Sequence, residues 1–220
     1  MRPEIVELLA SQDQVVRRAQ LLEAGLDPND VRRLLRRRDL SAVHPGVYAG
    51  HNGPLSWQQR AWAAVLHAWP AALSHDSALH AAGGPGRRDR IDQAPLHIAV
   101  DRGRSSTSPL PGVVTHHLAG LQRKALWNVG PPRLRIEEAL VDVAAGAATD
   151  FDAIATLADA VQARRTTAPR IRAALDERSR VARRAFLVGI LTDLAEGTCS
   201  STGTSCASSA RTVCPGPGGR

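Results

Sequence analysis

The stretch RRAQLLEAGLDPNDVRRLLRRRDLSAVHPGVYAG, Arg17–Gly50, predicts the fold of the beginning of the chain. Asp27 is suited to cap a helix and Pro28 to occupy its first turn, so together they predict a helix that runs to about Arg38. After this helix, apolar and polar residues alternate around a Pro-Gly pair that starts at Pro45, a pattern typical of a β-hairpin.

Two further short helices are predicted before this one. Pro3–Leu9 carries its apolar residues at helical spacing, and Arg18–Ala24 ends at Gly25, a residue that often follows a helix. Val15 and Val16 read as a short connection between them. Three short helices and a small hairpin within about fifty residues predict a winged helix-turn-helix.

The helix that Asp27 opens has two opposed faces. Val31, Leu34 and Leu35 share the face that would pack inward. The other face carries arginines in pairs one turn apart: Arg32 with Arg36, and Arg33 with Arg37. A DNA-recognition helix needs this division, because it buries one stripe and presents donors to phosphates and base edges on the other.

The candidate DNA contacts come from this helix, from the helix before it and from the hairpin. We expect the helix arginines to contact phosphates and bases, and an asparagine at the helix N-terminus to reach a base edge. Two arginines of the preceding helix would hold phosphates, and two hairpin residues would touch the backbone or the minor groove. The full set is Arg17, Arg18, Asn29, Arg32, Arg33, Arg36, Arg37, His44 and Tyr48. The alternative is an amphipathic helix with a solvated basic face.

The composition narrows the function classes. A formal charge of +7 and a pI near 10.7 favour a polyanionic partner, most simply nucleic acid. Aromatic residues make up only 3% of the chain, which argues against a platform that stacks single strands. MRPEIVELLA at the N-terminus does not resemble a signal peptide, and no apolar run reaches the length of a membrane span. We expect a cytoplasmic protein, without a disulfide framework because its three cysteines all lie near the C-terminus.

The remainder of the chain predicts an α+β fold that is mostly helical. Helices are expected over 55–69 and 74–82, strands over 96–100 and 113–118, and helical segments over 132–145, 151–164 and 171–194. We therefore expect a winged helix-turn-helix over 1–50, a small α+β domain over 51–150, C-terminal helices over 151–199 and a disordered tail over 200–220.

No stretch of the sequence forms a convincing active site, and we expect neither a cofactor nor a metal. The pairs His75 with His80, and His116 with His117, lack the spacing of a zinc site and are expected to be surface or capping histidines. Three adjacent residues at 74–76 have the letters of a catalytic triad but cannot converge as one. GGPGRRDR at 83–90 lacks the lysine that ends a phosphate-binding loop, so a basic loop is expected there.

Several segments together resemble a known family: RRAQLLEAGLDPNDVRRLLRRRDLSAVHPGVYAG at 17–50, LSWQQRAWAAVL at 55–66, LSHDSALHAAG at 73–83, LHIAVDRGR at 96–104 and RIEEALVDVAA at 135–145. The sequence is similar to the AbiEi-type antitoxin and transcriptional-regulator family that is common in actinobacteria. The resemblance implies a winged-helix domain that binds promoter DNA and autoregulates an operon of a type IV toxin-antitoxin system. It also implies that the middle domain neutralises a nucleotidyltransferase-like toxin.

The C-terminal end departs from the pattern of such proteins. FLVGILTDLAEGTCS, Phe186–Ser200, resembles the helix that opens a domain similar to very-short-patch-repair endonucleases. The remainder, STGTSCASSARTVCPGPGGR, cannot build a core, and we hypothesise that a frameshift produced it. The carboxylates and lysine that a metal-dependent nuclease requires are missing, so no nuclease activity is expected.

Three functions therefore remain open. The first is a regulator that binds double-stranded promoter DNA, at a palindromic site if the protein is a homodimer. The second is an interaction protein whose middle domain binds a toxin. The third is an inactive remnant of a nuclease-like protein.

Overall fold

The computed structural model describes residues 2–83, 94–104 and 108–202. The first unit consists of α1 (Pro3–Ser11), β1 (Val15–Arg17), α2 (Arg18–Glu23), α3 (Pro28–Arg36), β2 (Ser41–His44) and β3 (Val47–Ala49). Three helices with a three-stranded sheet, in the order β1-β3-β2, make a winged helix-turn-helix. The fold class predicted from the sequence is confirmed for this unit.

Helix α3 begins where the sequence predicts, because Asp27 caps it. The Asp27 side chain accepts hydrogen bonds from the backbone amides of Asn29 and Asp30, both at 2.7 Å. In return, Asp30 accepts from the Asp27 amide at 3.2 Å, which completes a capping box. The helix ends at Arg36, slightly before the predicted end, and Arg38 follows with a left-handed φ of 60°.

Strand β1 corrects the expectation that Val15 and Val16 form a connection. Both side chains are fully buried, and Val16 faces Tyr48 of β3 in an antiparallel ladder. The strand has only three residues and its partner lies far along the chain, so no local pattern in the sequence indicates it. The hairpin of β2 and β3 was predicted and is present, with a register shift between Ala42 and His44.

The first unit has its own apolar core. Ile5 and Leu9 of α1 pack with Leu21 of α2 and Val31 of α3. Of the predicted inner face of α3, Val31 is buried, and Leu34 and Leu35 are partly buried against the same cluster. This packing fixes which side of α3 points outward.

The second unit consists of twelve elements in the described residues. They are α4 (Trp57–His67), β4 (Ala71–Leu73), α5 (His75–Ala81), β5 (Leu96–Asp101), β6 (Val113–Leu118), α6 (Leu121–Lys124), β7 (Ala125–Leu126), β8 (Arg133–Leu134), α7 (Ile136–Ala145), α8 (Asp150–Gln162), α9 (Ala168–Asp176) and α10 (Arg184–Thr202). The five strands form one mixed sheet in the order β6-β5-β4-β8-β7. In this sheet β5 pairs with β4 antiparallel and with β6 parallel.

One large core joins the sheet to the helices that follow it. Leu73 and Ile98 of the sheet, Leu140 of α7, Leu157 of α8 and Leu191 of α10 belong to the same buried cluster. The helices α7, α8, α9 and α10 therefore pack as part of this unit, and the fold is α+β and rich in helix, as predicted.

The helical segment predicted over 171–194 is interrupted in the structure. Helix α9 ends at Asp176 and α10 begins at Arg184, and Arg183 before it has a left-handed φ of 58°. Between them the Arg178 guanidinium turns inward to Glu138 and Asp142 of α7. The chain therefore leaves the helical conformation around Arg178, where hydrophobic spacing alone predicted a continuous helix.

Helix α4 joins the two units. Trp62, Ala63 and Leu66 form a buried cluster with Val15 of β1 and Val47 of β3. The Gln59 side chain of α4 also donates to the Asp13 carbonyl at 3.1 Å. The winged helix-turn-helix therefore rests on the first helix of the second unit.

None of the helices in the described ranges is long and apolar enough to cross a membrane. Apart from its first residue, the basic loop predicted at 83–90 lies outside these ranges. The predicted tail is also outside them from residue 203 onward, so two of the three cysteines are not described.

Candidate functional site

Helix α3 presents its arginines to solvent in the described structure. At about 100° per residue, Asn29, Arg33 and Arg36 fall within about 40° of the point opposite Val31. Arg32 and Arg37 flank this outer face on its two sides. All five side chains belong to exposed residues. The structure thus brings together five of the nine residues that the sequence suggested as DNA contacts.

Two of these arginines are held by neighbours one turn earlier. The Arg33 guanidinium donates to Asp30 at 2.5 Å, and Arg32 donates to the Asn29 side-chain oxygen at 2.9 Å. A third arginine, Arg37, lies 3.5 Å from the Asp39 carboxylate. Within the part of the chain that the structure describes, nothing pairs with the Arg36 guanidinium, so it is the uncommitted cation at the centre of the face.

A groove runs beside this face, between α1 and α3. Arg33 and Arg37 line it together with Arg2, whose guanidinium donates to the Gly25 carbonyl at 2.9 Å. Arg2 was not predicted from the sequence, because this residue precedes the first helix and lies far along the chain from α3. Its position adds a third cation to this side of the winged unit.

The other four predicted contacts are placed differently. Arg18 is exposed at the start of α2, where a phosphate can reach it. Arg17 instead lies over the Trp69 ring, 5.6 Å from its centroid, and 3.9 Å from Glu23. Tyr48 is only 8% exposed and packs in the core of the first unit. Its ring is therefore committed to the interior of the wing.

His44 of the wing faces α4. Its ring meets that of His67 edge-on, with centroids 5.8 Å apart. Burial lowers the pKa of His44 below its usual value, and the charge of His67 lowers it further. The uncharged form of His44 is thus favoured in the folded protein, which suits a packing contact better than a phosphate contact.

A second cluster of polar side chains lies in the second unit, and sequence reasoning missed it. The rings of His75, His97 and His116 stack against one another, with centroids 3.8 Å to 5.2 Å apart. His97 Nδ1 is 2.9 Å from His116 Nε2, which is within hydrogen-bond distance. The sequence paired His75 with His80 and His116 with His117, whereas the fold brings together three residues that are distant along the chain.

The three rings are partly buried and carry little charge. Burial lowers the pKa of His75 to about 4, against an opposing effect of Asp142, and the neighbouring histidines lower it as well. Burial is also the main cause that lowers the pKa of His97 and of His116. At neutral pH all three imidazoles are therefore uncharged.

A buried ion network lies on the neighbouring helix α7. Arg178 contacts Glu138 at 2.5 Å, and it also pairs with Asp142. Glu138 further accepts from Lys124, the single lysine of the chain, at 3.4 Å. Burial alone lowers the pKa of Arg178, but the hydrogen bonds and charges of Asp142 and Glu138 outweigh it and raise that pKa. This network joins α7 to the turn before α10.

Comparison with known proteins finds a similarity for the first of the two units. Residues 3–49 match the family described as "Transcriptional regulator, AbiEi antitoxin". The crystal structure of the RV2827C protein from Mycobacterium tuberculosis is similar with a TM-score of 0.49 and 21% sequence identity, over 87% of this chain and 75% of that chain. No curated protein matches the sequence. The family match ends with the wing, so the winged helix-turn-helix is the part of this chain that is similar to AbiEi antitoxin regulators.

Proposed function

We propose that this chain is a transcriptional regulator that binds double-stranded DNA through α3. One observation carries the proposal: α3 is capped and buried on its Val31 side, and it presents Asn29 and four exposed arginines on the other. The match of residues 3–49 to AbiEi antitoxin regulators supports the same function. The proposal assigns no enzymatic activity to the chain.

In the proposed complex, α3 enters the major groove. Arg33 and Arg36 point toward the groove floor, where arginine can donate two hydrogen bonds to guanine. Asn29, at the N-terminal end, can pair with an adenine edge in the same groove. Arg32 and Arg37, at the flanks of the face, are placed for the phosphates of the two groove walls.

Residues outside α3 would complete the contact with phosphates. Arg18 at the start of α2 is exposed and is retained from the sequence prediction. Arg2 is added because it shares the groove that Arg33 and Arg37 line. Tyr48 and Arg17 are left out of the proposed interface because both side chains are engaged within the protein. His44 contacts His67 and has a packing role here.

Fluorescence anisotropy with duplex DNA selected by the protein from a random-sequence pool tests the proposal. The double variant Arg33→Ala/Arg36→Ala should lose at least about tenfold in affinity, since each good arginine–base pair discriminates by about 1–3 kcal/mol. The matched control is Arg102→Ala/Arg180→Ala, which removes the same charge from exposed residues of the second unit. Equal affinity of the two double variants would contradict the proposal.

We also propose that the chain regulates the transcription of its own gene. An antitoxin-type regulator would bind the promoter upstream of its own operon in the cytoplasm, as a homodimer on a palindromic site. A reporter driven by that upstream DNA should be repressed by the chain and released by Arg33→Ala/Arg36→Ala. Unchanged reporter output in the presence of the chain would limit the proposal to DNA binding and contradict autoregulation.

A second candidate function, docking of a toxin protein, is favoured by one surface of α8. Phe151 is 76% exposed and Ile154 is 42% exposed, one turn apart on the same side of the helix. Together the two side chains form a small exposed apolar patch, which a partner protein can cover. Co-expression with a neighbouring nucleotidyltransferase gene, followed by Phe151→Ser, tests this candidate. A complex that survives both Phe151→Ser and Ile154→Ser would contradict docking at this surface.

The remaining alternative, an inactive remnant of a nuclease-like protein, predicts a different result in the DNA-selection experiment. Such a remnant would have no duplex DNA that it prefers over a shuffled sequence. Selection of a defined DNA sequence by the wild-type chain would therefore exclude it.

A further inference from the structure

The second unit places three histidines from three different elements at one point. His75 is the first residue of α5, His97 lies in β5 and His116 lies in β6. One ring nitrogen of each lies within 4.8 Å of the ring nitrogens of the other two. The proposed function of α3 makes no use of these side chains, and they belong to a different unit of the chain.

The sheet register explains how two of them meet. In the parallel ladder of β5 and β6, His116 is the partner of Ala99, and His97 precedes Ala99 by two residues. Residues two apart on a strand share a face, so His97 and His116 project from the same side of the sheet as diagonal neighbours. His117 consequently projects from the opposite side, where it is exposed.

The third histidine is brought to this side by an unusual backbone conformation. His75 has a φ of 49°, in the left-handed region that residues other than glycine rarely adopt. The amide of the preceding Ser74 donates to the His97 carbonyl at 2.9 Å, which ties the start of α5 to β5. Backbone strain of this kind is common where a side chain must be held at a functional position.

The contact with Ser74 engages only one of the two ring nitrogens of His75. His75 Nδ1 lies 3.2 Å from the Ser74 hydroxyl, which leaves its Nε2 without a role in that contact. A metal-binding histidine commonly uses one ring nitrogen for the ion and the other for such a hydrogen bond. Packing alone does not call for three imidazoles here, because apolar side chains of similar size would fill the same space without burying polar nitrogens.

The charges around the cluster suit a cation. Asp142 acts electrostatically on His75 and His116, and Asp76 acts on His97. Arg178 pairs with Asp142 and offsets part of its charge at His75, which leaves Asp76 as the acidic neighbour of His97. Imidazole nitrogens are common metal ligands, whereas a phosphate needs positively charged or donor-rich partners.

We propose that His75, His97 and His116 bind a first-row transition-metal ion, with zinc as the occupant. Imidazole is a preferred ligand of zinc, and Zn–N bonds of about 2.0–2.1 Å in a tetrahedral arrangement separate ligand nitrogens by about 3.3 Å. The 2.9 Å between His97 Nδ1 and His116 Nε2 therefore has to open slightly, and nitrogens that lie up to 4.8 Å apart have to approach one another. The stacked rings also have to turn, so that their in-plane lone pairs converge on the ion. Three protein ligands leave a fourth position to water, as zinc sites that are not purely structural do.

The ion would connect α5 to the β5–β6 edge of the sheet. Because it binds the folded arrangement of three distant residues, zinc should raise the thermal midpoint of the second unit by mass action. This effect is separate from DNA binding, so it can be measured even if α3 does not bind DNA.

The test uses the full chain without a polyhistidine tag, stripped with a chelator and dialysed. Isothermal titration with Zn²⁺ should give one site per chain, and Co²⁺ should produce the visible absorption bands of a nitrogen-ligated tetrahedral site. His97→Gln and His116→Gln should each weaken Zn²⁺ binding by at least about tenfold, in the range that loss of a metal-site contact causes. The matched control His117→Gln alters the same strand on its exposed face and should bind as the wild type does.

Circular dichroism of each stripped variant establishes that it is folded before its affinity is compared. If the histidine variants do not fold, the wild-type chain still decides: zinc must raise its thermal midpoint and produce the cobalt spectrum. Absence of a stoichiometric Zn²⁺ site in the wild type would overturn the proposal. So would equal Zn²⁺ affinity of folded His97→Gln and His117→Gln.

Discussion

Arg33 donates to the carboxylate of Asp30 at 2.5 Å, so an arginine at the centre of the outer face of α3 is already paired within the helix. The Arg33 side chain is nevertheless 60% exposed and lines the groove beside α1. An exposed ion pair of this kind contributes little to stability. Its larger consequence is that Asp30 holds a negative charge next to the surface proposed for DNA.

Removal of that charge should tighten DNA binding. Asp30→Asn keeps an oxygen that can accept from the Asp27 amide, but it frees the Arg33 guanidinium for a phosphate or a base. We expect an affinity gain of about threefold or more at low salt, together with a steeper decrease in affinity as salt rises. Anisotropy titrations over a salt series measure both effects. Asp159→Asn, an equal charge change on the exposed side of α8, should leave the affinity unchanged.

The cap of α3 links stability to DNA binding. Asp27→Ala removes the acceptor of two backbone amides and should cost about 1 kcal/mol in the free energy of unfolding. Because the cap also holds the first turn of the helix, which carries Asn29, DNA affinity should fall as well. Ser56→Ala is the matched control, since Ser56 caps α4 by accepting from the Gln59 amide at 3.2 Å. It should lower stability but leave DNA affinity unchanged; equal DNA-binding losses in both variants would contradict a local role of the α3 cap.

The Arg178 network should be the most sensitive polar contact of the second unit. Arg178→Met leaves two carboxylates of α7, those of Glu138 and Asp142, without their main partner in a largely buried site. We expect a loss of about 3–5 kcal/mol in the free energy of unfolding, measured by urea denaturation. The control Arg172→Met breaks an exposed pair with Asp176 and should cost less than about 1 kcal/mol. Similar losses in the two variants would show that the network is not buried.

The wing should lose stability in acid through His44. The pKa of His44 is lowered in the folded protein, so the unfolded chain binds the proton more readily than the folded one. Stability from this group is thus complete above the unfolded value of about 6.5 and falls as the pH decreases below it. Urea midpoints compared at pH 7.5 and pH 5 should fall less for His44→Gln than for the wild type. An equal or larger fall in the variant would contradict the partly buried position of His44.

The sequence predicts those parts of the fold that depend on neighbouring residues. Asp27 and Pro28 locate the start of α3, and the spacing of Val31, Leu34 and Leu35 gives its inner face. Strand β1 was missed because its pairing with β3 joins residues thirty or more positions apart. The break between α9 and α10 was missed for a similar reason, since Arg178 finds its partners on α7.

The same distinction between neighbouring and distant residues applies to the candidate sites. The arginines of α3 could be predicted because a single helix presents them at regular spacing. The histidine cluster could not, because a strand register and a left-handed residue place His75, His97 and His116 together. Spacing in the sequence can reveal metal ligands only when they lie on the same helix or strand, and these three histidines lie on three different elements. The sequence correctly predicted the hairpin that contains Tyr48, but it did not indicate which face of β3 is buried. Tyr48 was therefore predicted at the DNA interface, although its side chain packs in the core.

A dimethyl sulfate footprint on the selected duplex shows whether α3 reads the major groove. Dimethyl sulfate methylates guanine N7 in the major groove and adenine N3 in the minor groove, so it distinguishes the groove that is occupied. The wild-type chain should protect guanine N7 within the site, and Arg33→Ala/Arg36→Ala should lose that protection at concentrations that still saturate the DNA. Protection confined to adenine N3, or guanine protection unaltered in the double variant, would contradict major-groove reading by α3.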